Sequence, residues 1–437
     1  MTKQVRDTLL GVWMRILVLT VGTRGDVQPY VALAVGLKEA GHEVRICTCQ
    51  IFEDFIHSHG IDYAPLNNDI RDFMESKDGR MAMETTTNLF QAVRTGVRLM
   101  PKLTDMMHRQ VNEMWAAANS FQPDLILFHK KAIGAEDFAE RLGCRCALAF
   151  YLPLYVPTGE SPAFGFPRLP LGRWYNIATY RAIEFITRRS GGRFVGKWRR
   201  SLGMPKKRPP YFRHADGRPV AALHAYSPAV IPRPSDWPEH ATVTGYWFLD
   251  APNEFEPAPT LVEFLQQGPP PIYVGFGSIF GRDPRATAER VIEAVRLSGQ
   301  RAILAPGWGG MDLREFDLPE TMLSIDAVPH DWLFPQVSAV IHHGGCGTTA
   351  AGLRAGRRTI ICPFFGDQPF WGRVVHELGV GPQPIPQRKL TSERLAQAIS
   401  QTMDDHEMEV RADQLGKQIR LESGVQNAVR FIDELNI

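Results

Sequence analysis

The sequence predicts an α/β fold of two doubly wound parallel-sheet domains facing a cleft, and three observations carry that prediction. Strand, glycine loop, helix and strand follow one another from Arg15 to Cys49. The same grammar restarts at Pro271 after a proline-rich passage, and its glycine-rich turns stand directly behind apolar, β-branched runs. Alternation of this kind builds parallel sheets covered by helices. A chain of 437 residues also exceeds the roughly 150 residues of one domain.

Ile16-Leu17-Val18-Leu19 reads as the first strand and Gly22-Thr23-Arg24-Gly25-Asp26 as a loop. Pro29 suits a helix first turn, Val31 to Lys38 continues that helix, Gly41 caps it, and Val44-Arg45-Ile46-Cys47 is the next strand. A second cycle is expected as helix 99–118, strand 123–127, helix 134–142 and strand 146–150. Pro252 to Pro271 suits a linker. Beyond it come strand 271–276, helix 286–298, strands 301–305, 322–325 and 339–342, a glycine-rich turn, a helix and strand 359–362. The expected division is an extension at 1–13, a first domain at 14–240, a linker at 241–270 and a second domain at 271–437. The last helix is a candidate to return to the first domain.

Hydrophobic residues make up 44% and charged residues 22%, an average globular composition that excludes collagen-like, largely disordered and coiled-coil proteins. A net charge of +2 makes no case for a nucleic-acid partner. That sum hides a division: 32 basic and 23 acidic residues precede position 241, against 17 and 24 after it. The halves carry +9 and −7. No run reaches the roughly 18 apolar residues of a spanning helix, Cys146 to Val156 being broken by Pro153. The N-terminal apolar stretch is split by Arg15 and lacks a secretory pattern, so a cytoplasmic location is expected, peripheral at the inner membrane face. Cys47-x-Cys49 and Cys144-x-Cys146 have strand period and read as buried core thiols rather than metal ligands.

The strongest chemical signal is His342-His343-Gly344-Gly345-Cys346-Gly347-Thr348-Thr349, a turn from strand end into helix. Glycines admit close backbone approach, and the helix N-terminus favours an anion. It reads as a phosphate cradle, with a ligand-free tight turn as the alternative. It has neither the lysine of an ATPase loop nor the dinucleotide glycine spacing. Gly275-Phe276-Gly277-Ser278 stands after another strand and could grip the same diphosphate or serve as a plain turn. Asp367 and Gln368, in Gly366-Asp367-Gln368-Pro369, suit vicinal hydroxyls or a surface turn. Asp26 is either a general base for an acceptor hydroxyl or an N-cap. His42 is assigned no chemistry.

These motifs, with Gly22 to Tyr30 and Val328-Pro329-His330-Asp331-Trp332-Leu333-Phe334, resemble the sterol 3-β-glucosyltransferase branch of the UDP-glycosyltransferases from about Met14 to Gly381. The resemblance implies the GT-B fold, two Rossmann-like domains with the donor held mainly by the second, and an inverting mechanism with no metal and no cofactor beyond the UDP-sugar. It places His343, Gly344, Gly345, Gly347 and Thr348 on the donor diphosphate with Ser278 opposite, and Asp367 and Gln368 on the hexose. The backbone around Val328 would address the uracil, with Trp308 as a wall, and Gly22, Thr23, Arg24 and Gly25 complete the donor-binding set. Asp26 stands where plant small-molecule relatives carry a histidine, which implies a one-residue carboxylate base. Ala351 stands where those relatives have the glutamate that reads the ribose, so the ribose must be recognised otherwise.

The acceptor side is expected in the first domain. Ten Lys or Arg and no Asp or Glu lie between Arg188 and Arg213, interleaved with Phe194, Trp198, Tyr211 and Phe212. This stretch is expected to dock on an anionic membrane carrying a lipophilic acceptor, a solvated helix face being the alternative. Phe150, Tyr151, Tyr155, Phe164, Phe166, Trp174 and Tyr175 are candidate pocket walls, or ordinary core. The expected activity is hexose transfer, glucose first, from a UDP-sugar to a sterol-like hydroxyl. Rivals are a natural-product glycosyltransferase, a GT-B sugar-nucleotide epimerase and a non-catalytic lipid or nucleotide binder. UDP release only on addition of acceptor separates transfer from the last two.

Overall fold

The computed structural model describes residues 13–435 except 70–71, 74–75, 77–78, 80–88, 206–208, 210–211, 251–254, 278–282 and 308–309. The expected extension at 1–13 therefore lies almost wholly outside the described residues. The chain divides into two compact units. One comprises residues 1–79, 88–249 and 423–437, and the other 80–87 and 250–422.

The first unit is built on seven parallel strands in the order β3-β2-β1-β4-β5-β6-β7. They are β1 (Arg15–Leu19), β2 (Glu43–Cys49), β3 (Asp62–Leu66), β4 (Leu125–Phe128), β5 (Arg145–Phe150), β6 (Ala221–His224) and β7 (Ala241–Val243). Its main helices are α1 (Arg24–Glu39), α2 (Leu89–Phe121), α3 (Ala135–Leu142) and α4 (Gly172–Ser201). Ile16 to Leu19 are wholly buried, with Val18 between Ile46 and Leu127 in register. The strand order reverses at β1 and β4, and in open α/β sheets ligands bind beyond the strand ends at such a switch point.

The predicted loop 22–26 is shorter than expected, because α1 begins at Arg24 and not near Pro29. The Asp26 carboxylate accepts the Thr23 backbone N–H at 2.8 Å, one arm of a capping box that starts the helix early. Pro29 consequently falls inside the helix. The predicted linker 241–270 is also corrected: its first residues are β7, and it contains a helix, α5 (Pro259–Gln266). Leu261 and Phe264 are buried in the second unit's core, so the prolines there punctuate structure rather than form a free tether. Pro259 occupies the first helical turn.

The second unit has five parallel strands in the order β10-β9-β8-β11-β12: β8 (Ile272–Gly275), β9 (Ala302–Ala305), β10 (Met322–Ser324), β11 (Ala339–His342) and β12 (Arg358–Ile361). Around it lie α6 (Pro284–Ser298), α7 (Cys346–Arg354), α8 (Gln368–Glu377), α9 (Ser392–Asp404) and α10 (His406–Arg420). Asp283 caps α6 by accepting the Ala286 N–H at 2.9 Å. The final helix, α11 (Gly424–Asp433), belongs to the first unit. Its Val425 packs so closely on α1 that a Cβ on Gly36 would lie 2.4 Å from the valine methyl. Asp433 reaches His42 at 2.9 Å, which gives that histidine a structural partner.

Candidate active site

At the first unit's switch point β1 runs into the turn that starts α1, and Asp26 sits there 5% exposed. Gly22 has φ +143°, and a Cβ on it would stand 2.0 Å from Asp26 Oδ2. That glycine makes room for the carboxylate. Oδ2 accepts the Thr23 N–H at 2.8 Å and the Thr23 hydroxyl at 3.2 Å. Oδ1 accepts the Lys131 ammonium at 2.7 Å and the Tyr151 hydroxyl at 2.8 Å. Burial pushes the Asp26 carboxyl up, but the Lys131 ammonium and the donated hydrogen bonds outweigh it and hold the group at about 2.

Lys131 and Tyr151 arrive on the loops after β4 and β5, the strands beyond β1 in the sheet. His129 is wholly buried beside them. Its Nδ1 accepts the Lys131 backbone N–H at 3.1 Å, which assigns the ring proton to Nε2, 3.7 Å from Asp26 Oδ1. Burial and Lys131 push this imidazole down to about 3. It is therefore neutral, has its lone pair occupied, and cannot itself act as a base. The rings of His129, Phe150, Tyr151 and Tyr155 form a continuous aromatic wall, with centroids 4.8 Å apart for Phe150 and Tyr151 and 5.5 Å for Phe150 and Tyr155.

The other loop residues have structural roles. Thr23 caps α1, while Arg24 donates to Gln28 at 3.0 Å and lies 4.6 Å over the Phe55 ring. Gly25 precedes Asp26 in the first helical turn.

In the second unit the glycine loops follow adjacent strands, with Gly275 of β8 opposite His342 of β11. Gly344 has φ +90°, and a Cβ there would meet Ile361 at 2.7 Å and the Gln368 carbonyl at 3.1 Å. Gly345 is the N-cap of α7, and a Cβ on it would lie 2.4 Å from His343 Nε2. The N–H groups of Cys346, Gly347 and Thr348 are in the first turn of α7, where a helix leaves donors without internal partners. The His342 Nδ1 accepts the Gly344 N–H at 3.0 Å and braces the turn. His343 stands against Gly277 of the other loop, and burial and His330 push its imidazole down to about 4. The arrangement offers an anion a cluster of neutral donors.

Gln368 departs from expectation. It is 4% exposed, and its side-chain oxygen accepts the N–H groups of Phe364 at 2.7 Å and Phe365 at 3.1 Å. This carbonyl closes its own loop, so any contact of Gln368 with a hexose falls to its amide NH2. Asp367 accepts the Trp371 indole N–H at 3.1 Å. Val328 packs against the cluster of Tyr273 and Phe334, as does Ala351. Ser278 and Trp308 lie outside the described residues.

The acceptor candidates scatter. Trp198 is 6% exposed, wedged between Trp115 and Phe138 with both centroid distances 5.1 Å. It is core rather than a surface anchor. Arg199, in the predicted basic patch, is buried and bonds Asp137 at 2.7 Å and Glu140 at 2.6 Å. Lys206 to Arg208 and Tyr211 lie outside the described residues. Phe164 and Phe194 are half-buried, whereas Phe166 and Trp174 are exposed. A cavity of about 400 Å³ in this unit has Tyr155, one of the expected pocket walls, in its lining together with Lys130, Lys131, Arg145, Glu136 and Asp216, whereas Tyr151, Phe164, Phe166, Trp174 and Phe194 do not line it. Its mixed charge differs from the apolar pocket expected. The sequence reading missed Lys131 and His129, although the run His129-Lys130-Lys131 directly behind a strand was a visible signal.

The description "Glycosyltransferase family 28 N-terminal domain" matches residues 16–156, and "Erythromycin biosynthesis protein CIII-like, C-terminal domain" matches residues 309–431. Among solved structures, the glycosyltransferase of kitacinnamycin superposes over 97% of this chain and 99% of its own, with TM-score 0.71 and 18% identity. The calicheamicin glycosyltransferase CalG4 superposes over 97% and 98%, with TM-score 0.65 and 17% identity. These matches establish the GT-B fold. A sterol 3-beta-glucosyltransferase of Emericella nidulans is 36% identical over 96% of this chain and 30% of its own length. One from Arabidopsis thaliana is 35% identical over 95% of this chain and 67% of its own. The chain thus spans about a third of the fungal relative and two thirds of the plant one. On that similarity across nearly its whole length, the chain belongs to the sterol 3-beta-glucosyltransferase family.

Proposed function

We propose that the protein transfers glucose from UDP-glucose to the hydroxyl of a sterol-like lipophilic acceptor, with inversion and without a metal ion. The observation that carries this reading is Asp26, a buried, ionised carboxylate at a switch point beside an aromatic wall, in a chain of this family. The acceptor hydroxyl gives its proton to Asp26 as its oxygen attacks the anomeric carbon. The bond from that carbon to the diphosphate breaks, and UDP carries the electron pair away. The α7 N–H groups and His343 are suited to that charge, because donors fixed in place lower the barrier without reorganising.

Both oxygens of Asp26 are occupied at rest, and a carboxyl at about 2 is a weak base. The acceptor hydroxyl takes the place of Lys131, whose side chain is 52% exposed and can swing away. Tyr151 and Thr23 stay. Without the ammonium, burial raises the carboxyl and makes it more basic. The cytoplasm is the proposed location, supported by six cysteines of which none is disulfide-bonded.

The test is UDP release from UDP-glucose with and without sterol, read with mass spectrometry of the lipid product and repeated in EDTA. Sterol-dependent release with a hexosyl adduct, undiminished by EDTA, is the expected result. Acceptor-independent turnover, or no adduct, overturns the transferase reading, and loss in EDTA overturns its metal independence.

A further inference from the structure

We infer that the stretch from Phe166 to Arg189 is a docking face for an anionic lipid bilayer. The observation is a concentration of exposed apolar side chains. Phe166 is 36% exposed, Leu169 46%, Leu171 62%, Trp174 86%, Phe185 67% and Ile186 62%. These are six of the ten exposed large hydrophobic residues among the described residues, within 21 positions of a chain of 437. Scattered exposed apolar residues need no explanation, whereas a cluster marks an interaction surface.

The helix geometry orders the cluster. At 3.6 residues per turn, Trp174, Ala178, Arg181, Phe185 and Arg189 fall on one stripe of α4, and all five are exposed. The stripe is about 22 Å long at 1.5 Å per residue. Trp174 and Phe185 alternate along it with Arg181 and Arg189. Aromatic rings settle at the headgroup level of a bilayer while arginines reach lipid phosphates from the same face.

Charge selects the partner. Residues 166–189 hold Arg168, Arg173, Arg181, Arg188 and Arg189 against the single acid Glu184. The nearest ion pairs, Arg173 with Asp236 at 3.9 Å and Arg188 with Glu184 at 3.8 Å, leave the face positive. Two copies of such a face would repel each other, whereas an anionic surface complements it. No helix among the described residues is long and apolar enough to cross a membrane, so the face lies on the bilayer. The docking segment is therefore displaced from the predicted 188–213 run, where Trp198 and Arg199 are built into the core.

The test is co-sedimentation of the whole chain with phosphatidylglycerol-containing and pure phosphatidylcholine vesicles, without donor or sterol, so that it stands apart from the transfer reaction. Phe185→Gln/Ile186→Gln and Arg181→Gln/Arg189→Gln are each expected to lose about ten-fold or more of the binding to anionic vesicles. Leu421→Gln, an exposed apolar control at 85%, keeps it. Circular dichroism confirms that each variant is folded. Binding by both double variants equal to wild type, no wild-type preference for anionic vesicles, or a wild-type dimer that Phe185→Gln/Ile186→Gln dissolves in place of vesicle binding would each overturn the proposal.

Discussion

Under the proposed function, the Asp26 site of the first unit and the glycine loops of the second face different chemical problems and are built of different materials. In the first unit, side chains from three strands converge on one carboxylate, and Asp26 is held by Lys131, Tyr151 and Thr23. In the second, glycines and backbone donors dominate, and the histidines are neutral. A base must hold and release a proton, which only a titratable side chain can do. A diphosphate leaving group needs several fixed donors at short range, which a glycine turn at a helix N-terminus supplies even in a half of the chain that carries net negative charge.

The sharpest way to break this contrast is Asp26→Asn, which keeps the shape of the carboxylate but not its basicity. It is expected to lower turnover by roughly 10²-fold or more with UDP binding unchanged by calorimetry. Equal loss of UDP binding would show that the first switch point also holds the donor.

A pair of glycine substitutions separates the two sites. In Gly22→Ala the new methyl collides with Asp26 Oδ2, and in Gly344→Ala it collides with Ile361 and the Gln368 carbonyl. Each is expected to cost about 1–3 kcal/mol of stability. The first should depress turnover at unchanged UDP affinity, and the second should weaken UDP itself. Identical profiles for the two variants would dissolve the distinction.

Acid should strain both units before it reaches the carboxylates. His129 and His224 in the first unit and His342 in the second are wholly buried. Burial pushes them down, to about 3 and about 4 for the first two. A histidine depressed in the folded state contributes stability that is present above the unfolded value near 6.5 and lost as pH falls toward the folded one. Each should cost about 1.4 kcal/mol per pH unit below roughly 6.5. Denaturant midpoints unchanged from pH 7 to pH 5 would contradict this.

The smallest effect expected is that of Lys131→Met. Removing the ammonium raises Asp26 in the free enzyme, so the acid limb of the kcat/KM profile moves to higher pH, whereas the limb of kcat, which reports the complex that Lys131 has left, stays in place. An unmoved kcat/KM limb would show that Lys131 does not hold Asp26 in the free enzyme, and a shifted kcat limb would show that it stays there in the working complex.

Much of this was readable in the residues. The βα alternation, the early strand Ile16–Leu19 and the turn His342–Thr349 depend on short-range periodicity and turn chemistry. Local patterns record these directly. Asp26 was visible both as base and as helix-start carboxylate, and its observed contacts are compatible with both roles. For Gln368 the sequence left a hexose contact and a turn open, and that its carbonyl closes a loop through residues three and four positions earlier is a hydrogen bond that composition does not signal. Trp198 and Arg199 were misread because a basic, aromatic helix looks alike whether its tryptophan meets lipid or Phe138.

By itself, the sequence determined two parallel-sheet units, their glycine loops and a lone acidic residue behind the first strand. The tertiary structure decided which groups surround that acid. Lys131 and Tyr151 lie 105 and 125 residues from it along the chain, and they reach it because β4 and β5 follow β1 in the sheet. Strand order is set by which apolar faces and connections pack together across the whole domain. No local period encodes that outcome, and the same holds for the return of α11 to the first unit.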